Sequence, residues 1–304
     1  MSANTTPADV SEILLGYYLL SPKGTWVGFK GSAEAKRVLG TRKTQIGENE
    51  YLIRSSHAQV MALSTHKWMK SKGYDSKIKF VYWTARPGAL SKAVKRKVSP
   101  ANNPTDILIE FVNGKFLGVS AKSSKGSGNI AFKNPGMQNI DKALHTNIKK
   151  IVKDRERITI KKFKLPKTQD SRKKYLDNTP DIRKQTDVIG TDLLIKIRNL
   201  ILRKLNVLSQ KMALNHLLHV WLNAEETYPQ YIKVTGIGKK APYRAKVEDP
   251  LNNAKLNALY TKKISFKKAG EFSIIVKAGT KSVMRIRDKF NSTKMASSVE
   301  FSGE

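Results

Sequence analysis

The chain has no cysteine and few acids. Of its 304 residues, 24 are Asp or Glu against 57 Lys or Arg, a formal net charge of +33. Without cysteine there are no disulfides, thiolate zinc sites or cysteine nucleophiles, and the composition suits a reducing compartment. The scarcity of acids says more. A positive excess of this size repels itself in the compact state unless a polyanion relieves it, which makes nucleic acid the leading partner class. An anionic membrane surface would serve the same end, but no terminal segment pairs a basic face with an aromatic one. Long hydrophobic runs are missing too, and no stretch is long enough to span a bilayer. The opening MSANTTPADVSEILLGYYLL lacks the basic start and cleavage pattern of a signal peptide. The expectation is a cytoplasmic protein with no membrane partner.

What is present has a globular balance, 39% hydrophobic and 27% charged, with length for one large domain or two modest ones. Asp9 or Ser11 can cap a first helix containing Glu12, Ile13, Leu14, Tyr17, Tyr18 and Leu20, stopped by Pro22. Ser55 to Lys72 has an amphipathic helical pattern ended at Gly73, and IKFVYW (78–83) reads as a strand. A basic loop follows. Its KAVKRK (92–97) matches a nuclear signal, but such clusters are common in so basic a chain. Asn134-Pro135-Gly136 marks a turn, and residues 137–157 place Ile140, Leu144, Ile148 and Ile151 on one helical face. From Lys149 to Lys174 twelve Lys or Arg accompany three acids, either a solvated linker or a strip facing phosphates. Residues 191–226 hold the longest helical pattern, with Asn206 and Asn215 as places where it can break. The remainder turns to strands: QYIKVTGI, KKISFK, EFSIIVKA, SVMRIRDKF and SSVEFS. This order predicts α/β or α+β with an all-β annex.

Two motifs carry little. His216 and His219 are three apart in NHLLHVW, but no third ligand lies nearby and packing is the preferred reading. TGIGKKA (235–241) resembles a fragment of a phosphate-binding loop, lacks the full pattern, and reads as a turn.

The informative segment is DILIEFV (106–112), Asn113-Gly114, then KFLGVSAK (115–122). Asn-Gly between apolar runs is the strongest short hairpin signal, and it predicts a two-residue turn with both positions at positive φ. Side chains alternate along strands, so Asp106, Leu108 and Glu110 share one face, and Gly118, Ser120 and Lys122 share one face of the next strand. The hairpin brings Asp106 close to Ser120 and Lys122. An Asp able to hold Mg²⁺ beside an ammonium is what phosphodiester hydrolysis requires.

This arrangement resembles the PD-(D/E)xK nuclease superfamily, which includes type II restriction endonucleases, phage exonucleases and resolvases. The matching positions are Pro104-Thr105-Asp106 and Ser120-Ala121-Lys122. The resemblance covers roughly residues 9 to 150. It implies a restriction-endonuclease-like α/β fold, a mixed sheet of four to five strands with helices on both sides. It also implies one or two Mg²⁺ ions, with Mn²⁺ able to substitute, and endonucleolytic cleavage of double-stranded DNA leaving a 5′-phosphate. Asp106 would be a metal ligand and Lys122 the residue that positions or deprotonates water. Glu12 matches a further Glu that the family often carries on an early helix. Ser120 stands where the family has its acid, so a carboxylate must come from elsewhere. Glu12 is the first candidate. Glu110 is the weaker one, four residues along the strand from Asp106 and roughly 13 Å away at about 3.3 Å per residue. The backbone carbonyl of Ala121 matches the family's middle residue, and Gln138 matches a glutamine that some members place near the water. Lys92, Lys95, Arg96 and Lys97 would flank the site on DNA, with Arg172, Lys173 and Lys174 as further phosphate contacts. The corresponding organisation is a nuclease core over 1–160, a basic linker over 161–190, and a helix with an antiparallel β-rich region over 191–304 for DNA grip or dimerisation. A homodimer would supply the two sites that a double-strand cut needs. The features fit a bacterial or phage enzyme, restriction-like or degrading host DNA. The alternative is a nuclease-fold DNA-binding or genome-associated protein that has lost catalysis, with Ser120 as the mark of that loss.

Overall fold

Two α/β units make up the computed structural model of the chain, which describes residues 6–74, 77–99, 103–126, 135–222, 224 and 227–303. Asn134 of the expected turn lies outside them. The first unit comprises Met1–Ile130 and Glu225–Leu251, the second Ala131–Ala224 and Asn252–Glu304.

In chain order the first unit contains α1 (Thr6–Leu20), β1 (Phe29–Lys30), α2 (Ser32–Ile46), α3 (Glu48–Ser71), β2 (Ile78–Trp83), α4 (Ala89–Ala93), β3 (Ile107–Phe111), β4 (Phe116–Ser124), β5 (Tyr231–Ile237) and β6 (Arg244–Glu248). The six strands form one mixed sheet in the order β1-β2-β3-β4-β5-β6. The pairs β1–β2 and β4–β5 are parallel and the rest antiparallel. Alternation decides which side chains are buried where. Val81, Ile107, Ile109, Leu117, Val119, Ala121, Ile232 and Val234 pack against Val10, Ile13 and Leu14 of α1 and Ala58, Met61 and Ala62 of α3. Leu108 points the other way and joins Leu90 and Val94 in a smaller cluster.

The hairpin has a loop one residue longer than a two-residue turn, which shifts its register. Phe111 donates its N–H to the Lys115 carbonyl at 2.9 Å, which leaves Val112, Asn113 and Gly114 as a three-residue loop. Only Gly114 has positive φ, at 77°, and the Asn113 side chain instead accepts from the Lys115 N–H. Pairing of Ile107 with Val119 then sets Asp106 opposite Ser120. The first helix also differs. It begins at Thr6, so Asp9 and Ser11 lie inside it, Ser11 bonding back to the Pro7 carbonyl and Asp9 pairing with Arg42 at 3.0 Å.

The second unit contains α5 (Met137–Leu144), α6 (Ile148–Phe163), α7 (Gln169–Asp177), α8 (Pro180–Asn206), α9 (Gln210–His216) running into a π-helical turn (Leu217–Leu222), and α10 (Ala254–Thr261). With them goes an antiparallel sheet of β7 (Ile264–Ala269), β8 (Ser273–Ala278), β9 (Lys281–Phe290) and β10 (Val299–Gly303), in the order β10-β9-β8-β7. Its core joins Leu194, Ile197 and Ile201 of α8 to Ile274, Val276, Met284, Ile286 and Trp221.

Several sequence expectations change here. The helix expected over 137–157 breaks at His145, which sits at φ 48°, and the Asp141 carboxylate caps α6 by accepting from Ile148 N at 2.6 Å and Lys149 N at 2.9 Å. Residues 161–190, expected as a linker, are mostly helical and anchored by buried Leu165 and Leu176. Residues 225–251, expected to belong with 191–304, complete the first sheet instead, because Ile232 and Val234 bury fully against its helices. Arg172 is 1% exposed, so it is not a free phosphate contact. Its guanidinium bonds Glu156 and the carbonyls of Pro166 and Lys167. His216 is also internal: it accepts from the Trp221 indole at 3.0 Å, and burial pushes its pKa down to about 4.

Candidate active site

Asp106 directly precedes β3, where the antiparallel pairing carries it past the middle of β4. Three donors from β4 converge on one of its oxygens. Ala121 N–H reaches Asp106 Oδ2 at 2.8 Å, Lys122 Nζ at 3.2 Å and Ser120 Oγ at 3.3 Å. Oδ1 accepts none among the described residues. The Asp106 side chain is 16% exposed and that of Lys122 35%, so the ammonium stands at the solvent edge of a mostly covered carboxylate.

Glu12, on α1, closes the site from the helix side. It is 6% exposed and accepts from the Trp83 indole N–H at 3.1 Å. Burial first and the negative charge of Asp106 second push its pKa up to about 8, against the opposing pull of Trp83 and Lys122. Glu12 and Asp106 are thus near enough to repel across a poorly solvated gap. One turn earlier on α1, buried Asp9 adds to the same repulsion but is itself neutralised, with Arg42 at 3.0 Å and Arg86 at 3.8 Å. The Arg86 guanidinium also lies 4.4 Å from the centre of the Trp83 ring, which places one cation between the indole and Asp9. A cavity of about 330 Å³ opens beside Asp106, lined by Arg86, Leu90, Ser91, Val98 and Pro104 among others.

The structure therefore brings Asp106, Ser120, Ala121, Lys122 and Glu12 together. It does not bring Glu110, whose carboxylate accepts from the Tyr82 hydroxyl and meets Lys79 at 3.4 Å farther along β3. Lys92 (on α4), Lys95, Arg96 and Lys97 are all exposed, and Arg96 lies over the Tyr228 ring. Gln138, Lys173 and Lys174 belong to the second unit. All three are exposed, and the Gln138 amide oxygen accepts from Lys149. Sequence reasoning missed Asp9, Trp83 and Arg86. The i, i+3 spacing of Asp9 and Glu12 was a usable signal for one acidic helix face, whereas Trp83 and Arg86 reach it only through the fold.

The Asp106 and Glu12 carboxyl groups share a covered site, and burial together with the charge of Asp106 favours the protonated form of Glu12. No group of three or more His, Cys, Asp or Glu side chains with metal-holding geometry occurs among the described residues. Among those residues, too, no helix is long and apolar enough to cross a membrane. The chain matches no known protein family, no curated protein and no solved structure.

Proposed function

We propose that the chain is a Mg²⁺-dependent DNA endonuclease of PD-(D/E)xK type. The observation that carries this reading is the convergence of Ser120, Ala121 and Lys122 on a single oxygen of Asp106, with Glu12 held beside it. Asp106 Oδ1, the Glu12 carboxylate and the Ala121 carbonyl would hold the ion. When bound it polarises the phosphate and lowers the pKa of a water. Glu12 has to give up the proton that burial and Asp106 hold on it before both its oxygens can act as ligands, so ion binding at this site would release a proton. Lys122, oriented by Asp106, hydrogen-bonds the attacking water and balances charge developing on the phosphate. Ser120 supplies a neutral donor to Asp106 where a third acid would repel it. The Lys92–Lys97 cluster and the overall charge of +33 support a polyanionic substrate.

The test is supercoiled plasmid incubated with Mg²⁺ or Mn²⁺, with EDTA, and with Lys122→Ala. The expected result is metal-dependent nicking or linearisation, lost at least a hundredfold in Lys122→Ala while DNA binding survives. Cleavage at an unchanged rate in the variant would sink the mechanism. Binding without any cleavage would favour a nuclease-fold protein without catalysis, with Ser120 as the mark of that loss.

A further inference from the structure

A row of cations on the β5–β6 hairpin is used neither by the core nor by the candidate site. Parallel pairing sets Lys122 beside Thr235, and antiparallel pairing sets Thr235 beside Lys246. Paired residues project from the same face, so Lys122, Thr235 and Lys246 form one row, with Arg244 on that face two residues away. At about 4.8 Å per strand, Lys246 stands roughly 10 Å across the sheet from Lys122. The turn adds Lys239 and Lys240. Lys239, Lys240, Arg244 and Lys246 are exposed, whereas the hairpin's fifth basic residue, Lys233 of β5, is buried and paired with Glu248 at 2.7 Å. Lys246 meets Glu248 at 2.9 Å, whereas Lys239, Lys240 and Arg244 have no carboxylate within ion-pair distance among the described residues.

The turn is also tied to the end of β4. Gly238 donates its N–H to the Ser124 carbonyl at 3.0 Å. Fully buried His57 of α3 lies 2.9 Å from the Gly238 carbonyl through Nε2, and a carbonyl can only accept, so Nε2 carries the proton. Nδ1 then accepts from Ser123 Oγ at 2.6 Å, and the Tyr243 ring packs edge-on against the imidazole. Gly236 makes this approach possible, since a Cβ there would stand 2.6 Å from His57 Cβ. Cations on an edge strand also guard against strand-to-strand association, which accounts for Arg244 and Lys246 on β6. That guard does not account for Lys239 and Lys240 in the turn, nor for a buried histidine fixing the turn to the strand that carries Lys122.

We propose that the β5–β6 hairpin is a backbone clamp for double-stranded DNA, in which Lys239, Lys240, Arg244 and Lys246 meet phosphates flanking the one seated at Lys122. The clamp rests on the reading of Asp106 and Lys122 as a phosphodiesterase site. Lys239 and Lys240 stand in the turn just past Ile237, the last residue of β5 and about 7 Å along the strand from Thr235, so their contacts fall a few base pairs from the cut. Phosphate contacts position a duplex without reading it, so the clamp adds affinity and no base preference.

The experiment measures binding of a fluorescein-labelled duplex by anisotropy in EDTA over a NaCl series, for wild type and for Lys239→Ala/Lys240→Ala/Arg244→Ala. Thermal unfolding of both proteins checks that these exposed changes leave the fold intact. The expected result is at least tenfold weaker binding at low salt. The slope of log affinity against log salt should be shallower by about 2.7, from about 0.9 per lost contact. Affinity and slope equal to wild type, in a preparation whose wild type still cuts plasmid, overturns the clamp and leaves the hydrolytic reading standing. Unchanged duplex binding with lost binding to phosphatidylserine vesicles also overturns it and assigns the surface to a membrane. The expected loss in a protein that never cuts supports the clamp and overturns the hydrolytic reading.

Discussion

Ser120 stands at a place where the structure holds two carboxyl groups in mutual repulsion. Its hydroxyl donates to Asp106 Oδ2, so the position contributes attraction where a third anion would oppose both neighbours. The burden then falls on Glu12, and it leaves a signature in stability. Folded, Glu12 keeps its proton up to about pH 8, raised from 4.5 by burial and by Asp106. A carboxyl with a raised folded pKa contributes stability fully below its unfolded pKa and loses it as pH rises through the folded value. Stability should therefore fall as pH rises between about pH 4.5 and 8. Glu12→Gln keeps the shape and removes the charge, so the variant should exceed wild type in stability at pH 8 and show a flatter profile. Urea midpoints at pH 5 and pH 8 measure it. Equal losses in both proteins would place the pH dependence elsewhere, and His216, whose depressed pKa loses stability as pH falls through about 6.5 toward 4, works in the opposite direction.

Among the elements, the hairpin was the most legible, because its information is local: apolar runs on both sides of an Asn-Gly pair bring the start of one strand beside the end of the next without reference to the rest of the chain. The one error, a two-residue turn, came from reading Asn113 at positive φ, when only Gly114 adopts it and the extra loop residue moves Asp106 opposite Ser120. The site was legible to the same extent. That Asp106 lies near Ser120 and Lys122 follows from the hairpin whichever register it takes, while Glu12 rested on a resemblance, and the Trp83 and Arg86 contacts needed tertiary packing. Arg172 was misread because a run of basic residues shows charge and not direction, and Glu156, sixteen residues earlier, turns that side chain inward. β5 read as a strand, but its uniform burial gave no hint of which sheet it entered. Its glycine gives the element-scale prediction. Gly236→Ala should cost about 1–3 kcal/mol, since its Cβ meets His57 before either backbone can move. The urea midpoint would shift accordingly, and an unchanged midpoint would mean that the α3–β5 approach is looser than described.

For the whole molecule, the division into units bears on what can be cut away. A fragment ending near residue 160, the core expected from sequence, lacks β5 and β6 and leaves β4 with an unpaired edge beside uncovered apolar surface. Such a fragment should be insoluble or lack a cooperative transition. By contrast, residues 1–130 joined to 225–251 by a Gly/Ser linker should melt cooperatively. Circular dichroism on both fragments distinguishes them, and a cooperative melt of the 1–160 fragment would contradict the assignment of β5 to this sheet's core.

That β4 and β5 are neighbours in space and about a hundred residues apart in sequence has a consequence during synthesis. Glu12, Asp106, Ser120 and Lys122 all leave the ribosome before any of the second unit. At roughly 5–20 residues per second, β4 then waits about 5–20 s for the strand that covers its edge. Through that interval the nascent chain offers an open strand edge to other nascent chains and to chaperones, and the residues proposed to cut DNA stand on an unfinished sheet.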